Sequence, residues 1–135
     1  QALLYFGGNA ETVVYNAADF ITAFPLHTVY LLNYRGYGGS SGQPTEAGIF
    51  ADALALFDKV QKKQERISVM GRSLGSGAAT YLASKRPVEK MLLISPFDSI
   101  KSELPVMSSD RVSITPCISF SYRNIICKCS VTIIN

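Results

Sequence analysis

Arg66-Ile67-Ser68-Val69-Met70-Gly71-Arg72-Ser73-Leu74-Gly75-Ser76-Gly77-Ala78 joins an apolar, β-branched run to a helix-forming run through a Gly-x-Ser-x-Gly turn. Ile67 to Met70 reads as a short buried strand, and Ala78, Ala79, Leu82 and Ala83 set small and apolar residues at helical spacing just after the turn. A tight strand-to-helix turn holds its apical residue proud of the backbone, and glycines two before and two after relieve the crowding. Ser73 is therefore the expected nucleophile. The helix behind it aims unpaired N–H groups and the positive end of its dipole at the same spot, so the Leu74 N–H is an expected oxyanion donor. The alternative reading of the bare pattern is a Gly/Ser turn that only packs a helix closely on a sheet. The strand before it and the helix after it favour the catalytic reading.

Upstream, Ala2 to Phe6 is an apolar run with aromatic ends that passes at once into Gly7-Gly8-Asn9, as a central parallel strand hands over to a loop. If this strand lies beside the Ile67 strand, both turns open on one carboxyl edge of the sheet, where open α/β sheets bind ligands. Asn9 N–H, with Gly8 N–H as a further candidate, would then face Leu74 N–H as the second oxyanion donor. Thr12 to Phe24 carries Val13, Val14, Ala17, Ala18, Ile21 and Phe24 at helical spacings and stops at Pro25. Thr28 to Leu32 is the next strand, and the order strand, helix, strand implies a right-handed parallel crossover. His27, the single histidine, precedes its strand and so falls on the edge away from the nucleophile. A structural or solvated role is expected for it.

Asn33 to Gly42 forms a long glycine-rich loop at the catalytic edge, with Tyr34, Arg35 and Tyr37 as the bulky residues of a cleft wall. No Lys-Ser/Thr follows its glycines and no Gly-x-Gly-x-x-Gly opens a helix there, which argues against phosphate or nucleotide binding. Thr45 is an N-cap candidate, and Ile49, Phe50, Ala53, Leu54, Phe57 and Val60 then share one helix face, with Asp52, Asp58 and Lys59 toward water. Beyond the Ser73 helix, Lys85-Arg86-Pro87 ends the pattern and Met91 to Ile94 is a further short buried strand. Ser95-Pro96-Phe97-Asp98-Ser99 follows at the same edge. Asp98 reads as the N-cap of a helix over Ile100 to Leu104, with orientation of a histidine as its other reading. Periodicity fades between Pro105 and Pro116, and Ser130 to Ile134 resembles the approach to a last strand.

The bulk composition excludes several classes. With 47% hydrophobic and 17% charged residues in 135, the chain affords one core and wholesale disorder is not expected. The net charge of +3 arises from 13 basic and 10 acidic residues, and the only basic cluster, Lys59, Lys62, Lys63 and Arg66, sits at a helix end where cations favour the dipole. No nucleic-acid partner is expected. Cys117, Cys127 and Cys129 make an odd count confined to the tail, which fits reduced, intracellular thiols better than a disulfide framework. Cys-x-Cys without histidine partners is no zinc site, so neither a metal nor another cofactor is expected. The chain opens on Gln1-Ala2-Leu3 without a charged leader, and no apolar run reaches the ~20 residues that span a bilayer.

Four stretches, Tyr5-Phe6-Gly7-Gly8-Asn9-Ala10-Glu11, Tyr34-Arg35-Gly36-Tyr37-Gly38, Gly71-Arg72-Ser73-Leu74-Gly75-Ser76-Gly77 and Ser95-Pro96-Phe97-Asp98-Ser99, together resemble the alpha/beta-hydrolase fold superfamily. The likeness is closest to prolyl-oligopeptidase-related serine hydrolases of unassigned substrate, found in bacteria and as membrane-anchored eukaryotic forms, and covers Ala2 to Ser102. It implies an α/β fold, a mostly parallel sheet with helices on both faces. It also implies Ser73 as nucleophile, with Leu74 and Asn9 as backbone oxyanion donors. Asn33 stands where such loops often carry Asp, and Gly7 where His often precedes Gly-Asn. Neither change removes a backbone donor.

The same resemblance orders the catalytic residues Ser, Asp, His, with the acid after the strand that Ser130 to Ile134 resembles. The expectation is thus a partial domain over residues 1–135, from the oxyanion-loop strand to the strand before the acid, as an internal or truncated piece of a longer hydrolase. It would cleave ester, thioester or amide bonds of a small-molecule, lipid or peptide acyl substrate by an acyl-enzyme route, and would be inactive without its base. The alternative is a non-catalytic binding or scaffold module on the same fold. A cytoplasmic setting or an anchor upstream both fit, and the oligomeric state is not implied.

Overall fold

A computed structural model of the protein describes residues 1–96 and the strand at 130–134. Its elements are β1 (Ala2–Phe6), a 3-10 turn (Val13–Asn16), α1 (Ala17–Ala23), β2 (Thr28–Leu32), α2 (Glu46–Gln61), β3 (Ile67–Arg72), α3 (Leu74–Lys85), β4 (Met91–Ile94) and β5 (Ser130–Ile134). The strands form one sheet in the order β4-β3-β1-β2-β5. All four pairings are parallel.

Side chains alternate across a strand, and β1 shows both results at once because it is buried on both faces. Ala2, Leu4 and Phe6 join Ile67, Val69, the apolar face of α2 and the start of α3 in one core. Leu3 and Tyr5 point the other way, toward Val13, Phe20, Val29, Leu31 and Met70 under α1. Helices therefore cover both faces, as expected of an α/β sheet. The central strands read in sequence as unbroken apolar runs for the same reason.

α2 matches its expected pattern closely. Thr45 has extended backbone, and its hydroxyl accepts from Gly48 N–H at 3.1 Å, which caps the helix. Ile49, Ala53, Leu56, Phe57 and Val60 are buried, and Phe50 stacks on Tyr81 of α3 with ring centroids 4.2 Å apart.

Two expectations need correction. The single helix expected over Thr12 to Phe24 is a 3-10 turn followed by a seven-residue α-helix. The tighter first turn rotates the later residues, so Val13 and Phe20 are buried while Val14 and Ile21 are exposed. Pro25 restricts the preceding residue, and Phe24 indeed leaves the helical region at φ −127°, ψ 58°. The run Met91 to Ile94 does form a strand, but it is not buried: Met91 and Ile94 are 37% and 39% exposed. It is the edge strand beyond β3, so one side of its ladder has no neighbour among the described residues. The expected strand at Ser130–Ile134 pairs with β2 at the opposite edge. The expectations for Asp98, for a helix over Ile100 to Leu104 and for the three cysteines lie outside the described residues.

Candidate active site

The strand order fixes where a site can form. From β1 the chain moves one way to β2 and then returns across β1 to β3, so the loops leaving β1 and β3 diverge toward opposite faces. A crevice opens between them at the carboxyl edge, the point where open parallel sheets bind ligands. Phe6 and Gly71 are register partners, so the Gly7-Gly8-Asn9 loop and the Arg72-Ser73 turn emerge side by side. Gly8, Asn9, Glu11, Arg72 and Ser73 line the resulting cleft, about 310 Å³ in volume.

Ser73 sits at the apex between β3 and α3 with φ 48° and ψ −118°. Non-glycine residues avoid positive φ, and holding one there costs about 1–3 kcal/mol, so the conformation persists only where neighbours enforce it. Neighbours on both sides enforce it. Ser73 N–H donates to Ile94 O at 2.9 Å, and its carbonyl accepts from Ser76 N–H at 2.8 Å and from the Ser76 hydroxyl at 2.5 Å. Leu74 is the first residue of α3, so its N–H has no acceptor within the helix.

The flanking glycines let two backbones touch. A Cβ on Gly75 would overlap the carbonyl of Phe6 and come within 2.7 Å of Gly7 O, so the start of α3 abuts the end of β1 directly. A Cβ on Gly71 would collide with Gly75 O and meet Ala79 Cβ at 2.8 Å. Close approach of helix, strand and loop thus accounts for both glycines.

The loop after β1 is held from three directions. Tyr34 donates its hydroxyl to Gly7 O at 3.0 Å, Tyr37 donates to Asn9 Oδ1 at 2.5 Å, and Gly8 N–H donates to Glu11 Oε2 at 2.6 Å. Glu11 also accepts from the Tyr5 hydroxyl at 2.7 Å and from Asn16 Nδ2 at 2.5 Å, and Arg72 reaches it at 3.4 Å. Burial, reinforced by the Glu11 carboxylate, pushes the Tyr5 phenol well above its ordinary value. Burial does the same to Tyr34.

Ser73, Gly8 and Asn9 share the cleft, and Leu74, the next residue along the chain, begins α3. The Gly8 N–H is engaged by Glu11. Of the three residues expected in a cleft wall, Tyr34 is only 2% exposed and stands beneath the loop as a support. Arg35 turns outward to Asp52 of α2 in a bidentate pair, both contacts at 2.7 Å, and lines a separate groove that also includes Ser40 and Lys59. Tyr37 reaches the loop through Asn9. His27 precedes β2, at the amino edge. Glu11 is the residue that motif reading left without a role. Its signal was the spacing, a carboxylate three residues after Gly8, which lets an acidic side chain reach back to a backbone N–H. Among the described residues no group of three His, Cys, Asp or Glu side chains converges to hold a metal ion. No described helix is long and apolar enough to cross a membrane.

Comparison with known proteins agrees with this architecture. Residues 1–115 match the family model for the alpha/beta hydrolase fold. The chain is 42% identical over 104 residues to an uncharacterized protein of Mycobacterium tuberculosis, which covers 73% of the chain and 37% of that protein. It is 35% identical over 115 residues to the lysophosphatidylserine lipase ABHD12 of Gallus gallus, covering 75% of the chain and 29% of the lipase. Protein bem46 of Schizosaccharomyces pombe is 32% identical over 114 residues, with 78% and 38% covered. The chain thus spans well under half the length of these relatives. No solved structure matches it significantly.

Proposed function

Because the chain belongs to the alpha/beta hydrolase fold family, we propose that its protein is a serine hydrolase that cleaves acyl esters through Ser73. The Ser73 oxygen attacks the substrate carbonyl carbon while a general base takes the hydroxyl proton. The carbonyl π pair moves onto oxygen, and the N–H groups of Leu74 and Asn9 receive the resulting oxyanion. Collapse expels the leaving group, which takes the proton from the base. Water, deprotonated by the same base, then releases the acid and returns the proton to Ser73. His27 stands at the wrong edge to serve, so this reading assigns the base to a part of the protein outside the described residues.

The observation that carries the reading is the strained Ser73 backbone, φ 48°, at the crevice between the β1 and β3 loops. Ala10 and Ser95 also take positive φ, and what sets Ser73 apart is that its strained backbone lines the cleft directly before the N-terminus of α3. The substrate class is an acyl ester, with lipid esters first in order because a relative carries the name of a lysophospholipid lipase. The test uses the full-length protein with p-nitrophenyl esters and a lysophospholipid. Ser73→Ala should abolish turnover and labelling by a fluorophosphonate, and unchanged turnover would rule the assignment out.

A further inference from the structure

Resting on the serine-hydrolase reading above, we propose that Glu11 is a positioning residue that sets the orientation of the Gly8–Asn9 peptide and so aims the Asn9 N–H at the oxyanion. A peptide unit is planar and trans, so its C=O and N–H point to opposite sides. The Gly7–Gly8 unit is clamped at both ends, its carbonyl by the Tyr34 hydroxyl at 3.0 Å and its N–H by Glu11 at 2.6 Å. In the next unit the Gly8 carbonyl accepts from Glu11 N–H at 3.4 Å. The Asn9 N–H of that unit therefore points away from Glu11. The carboxylate grips the first of these peptides and the Glu11 backbone N–H the second, so the side chain sets the start of a Gly-Gly segment that has little conformational preference of its own and the Gly8–Asn9 unit follows from it.

Glu11 is itself held. Its side chain is 13% exposed, and the Tyr5 hydroxyl and Asn16 amide fix its other oxygen, tying β1 and the 3-10 turn to the loop. Arg72, next to the nucleophile, meets its second oxygen from the far side of the cleft. The carboxylate thus couples both halves of the proposed oxyanion hole, and hydrogen bonds to an ionised acceptor are the stronger kind. Preorganised donors stabilise an oxyanion only if they do not have to reorient during the reaction, so a slack loop should cost rate rather than substrate affinity.

The experiment uses the full-length protein, a p-nitrophenyl ester and a trifluoromethyl ketone, whose serine adduct carries an oxyanion. Deleting an oxyanion donor costs about 10²–10³ in kcat, so loosening one by Glu11→Ala should lower kcat by about tenfold or more and leave KM within about twofold. Trifluoromethyl ketone affinity should fall by a similar factor. Glu11→Gln keeps an oxygen for Gly8 N–H and should recover most of kcat. If Glu11→Ala does not fold, Glu11→Asp, one methylene too short to reach Gly8, should show the same kcat loss in a folded protein. Wild-type kcat in either truncating variant, or a loss carried by KM, overturns the proposal. Ser73→Ala run in parallel separates the two ideas: if it is inactive while Glu11→Ala is not, only the Glu11 role falls, and if it is active both fall.

Discussion

The hydroxyl of Tyr34 donates to the carbonyl of Gly7 at 3.0 Å, bridging the loop after β2 to the loop after β1 across 27 residues of chain. Tyr34 is buried, so the bond is made out of reach of water and its loss strands a carbonyl. Tyr34→Phe should destabilise the fold by about 1–3 kcal/mol, the cost of leaving one buried acceptor unpaired. Urea unfolding should show a lower midpoint at an unchanged slope. An unchanged midpoint would mean that the hydroxyl contributes nothing to the loop.

The contact of α3 with the end of β1 makes a sharper test. Any side chain on Gly75 would occupy the Phe6 carbonyl, a backbone group that cannot swing aside. Gly75→Ala should therefore exceed the about 1–3 kcal/mol usual for overpacking and leave little folded protein in thermal or solubility assays. A Gly75→Ala protein of wild-type stability would show that helix and strand are not in contact there.

How legible this was in the sequence depended on whether a local signal was enough. The apolar runs at Leu3, Val29 and Val69 declared β1, β2 and β3 because strands buried on both faces need no alternation. Thr45 announced its helix through a cap that requires only three neighbouring residues. The 3-10 start of α1 was hidden, since Val13 and Val14 satisfy either helical period, and its register is set by packing Phe20 on Tyr5, ring centroids 4.7 Å apart. Met91 to Ile94 looked buried because an apolar run does not say how many neighbours its strand will have. At the candidate site, Ser73 and the Gly8-Asn9 loop were readable from motif and order, whereas the Glu11 hub and the Tyr34 support depend on contacts that arise only once β1, β2 and β3 lie side by side.

Alkaline pH should weaken the fold through Tyr5 and Tyr34. Both phenols are held above their ordinary value near 10, chiefly by burial, so the folded state retains protons that the unfolded chain releases. A group whose folded pKa is raised gives stability that is whole below its unfolded pKa and is lost as pH climbs past it. Denaturation midpoints of the protein should accordingly fall as pH rises above about 10, and Tyr5→Phe or Tyr34→Phe should flatten that fall. Identical slopes in wild type and both variants would show that these phenols are not the groups responsible.

The backbone at Ser73 carries the last prediction, in which stability and activity should move in opposite directions. Its φ of 48° suits glycine and strains any residue with a Cβ. Ser73→Ala keeps that Cβ and so keeps the strain, whereas Ser73→Gly relieves it, a gain of about 1–3 kcal/mol. Glycine also gives the unfolded chain more freedom, which takes back about 0.4–1 kcal/mol. The net expectation is that Ser73→Gly is more stable than Ser73→Ala by about 1 kcal/mol, while both lack the hydroxyl and hydrolyse no ester. Thermal unfolding of the two variants side by side decides it. If Ser73→Ala proves the more stable, the residue is not held in a strained turn, and the principal structural support for its proposed role as nucleophile is lost.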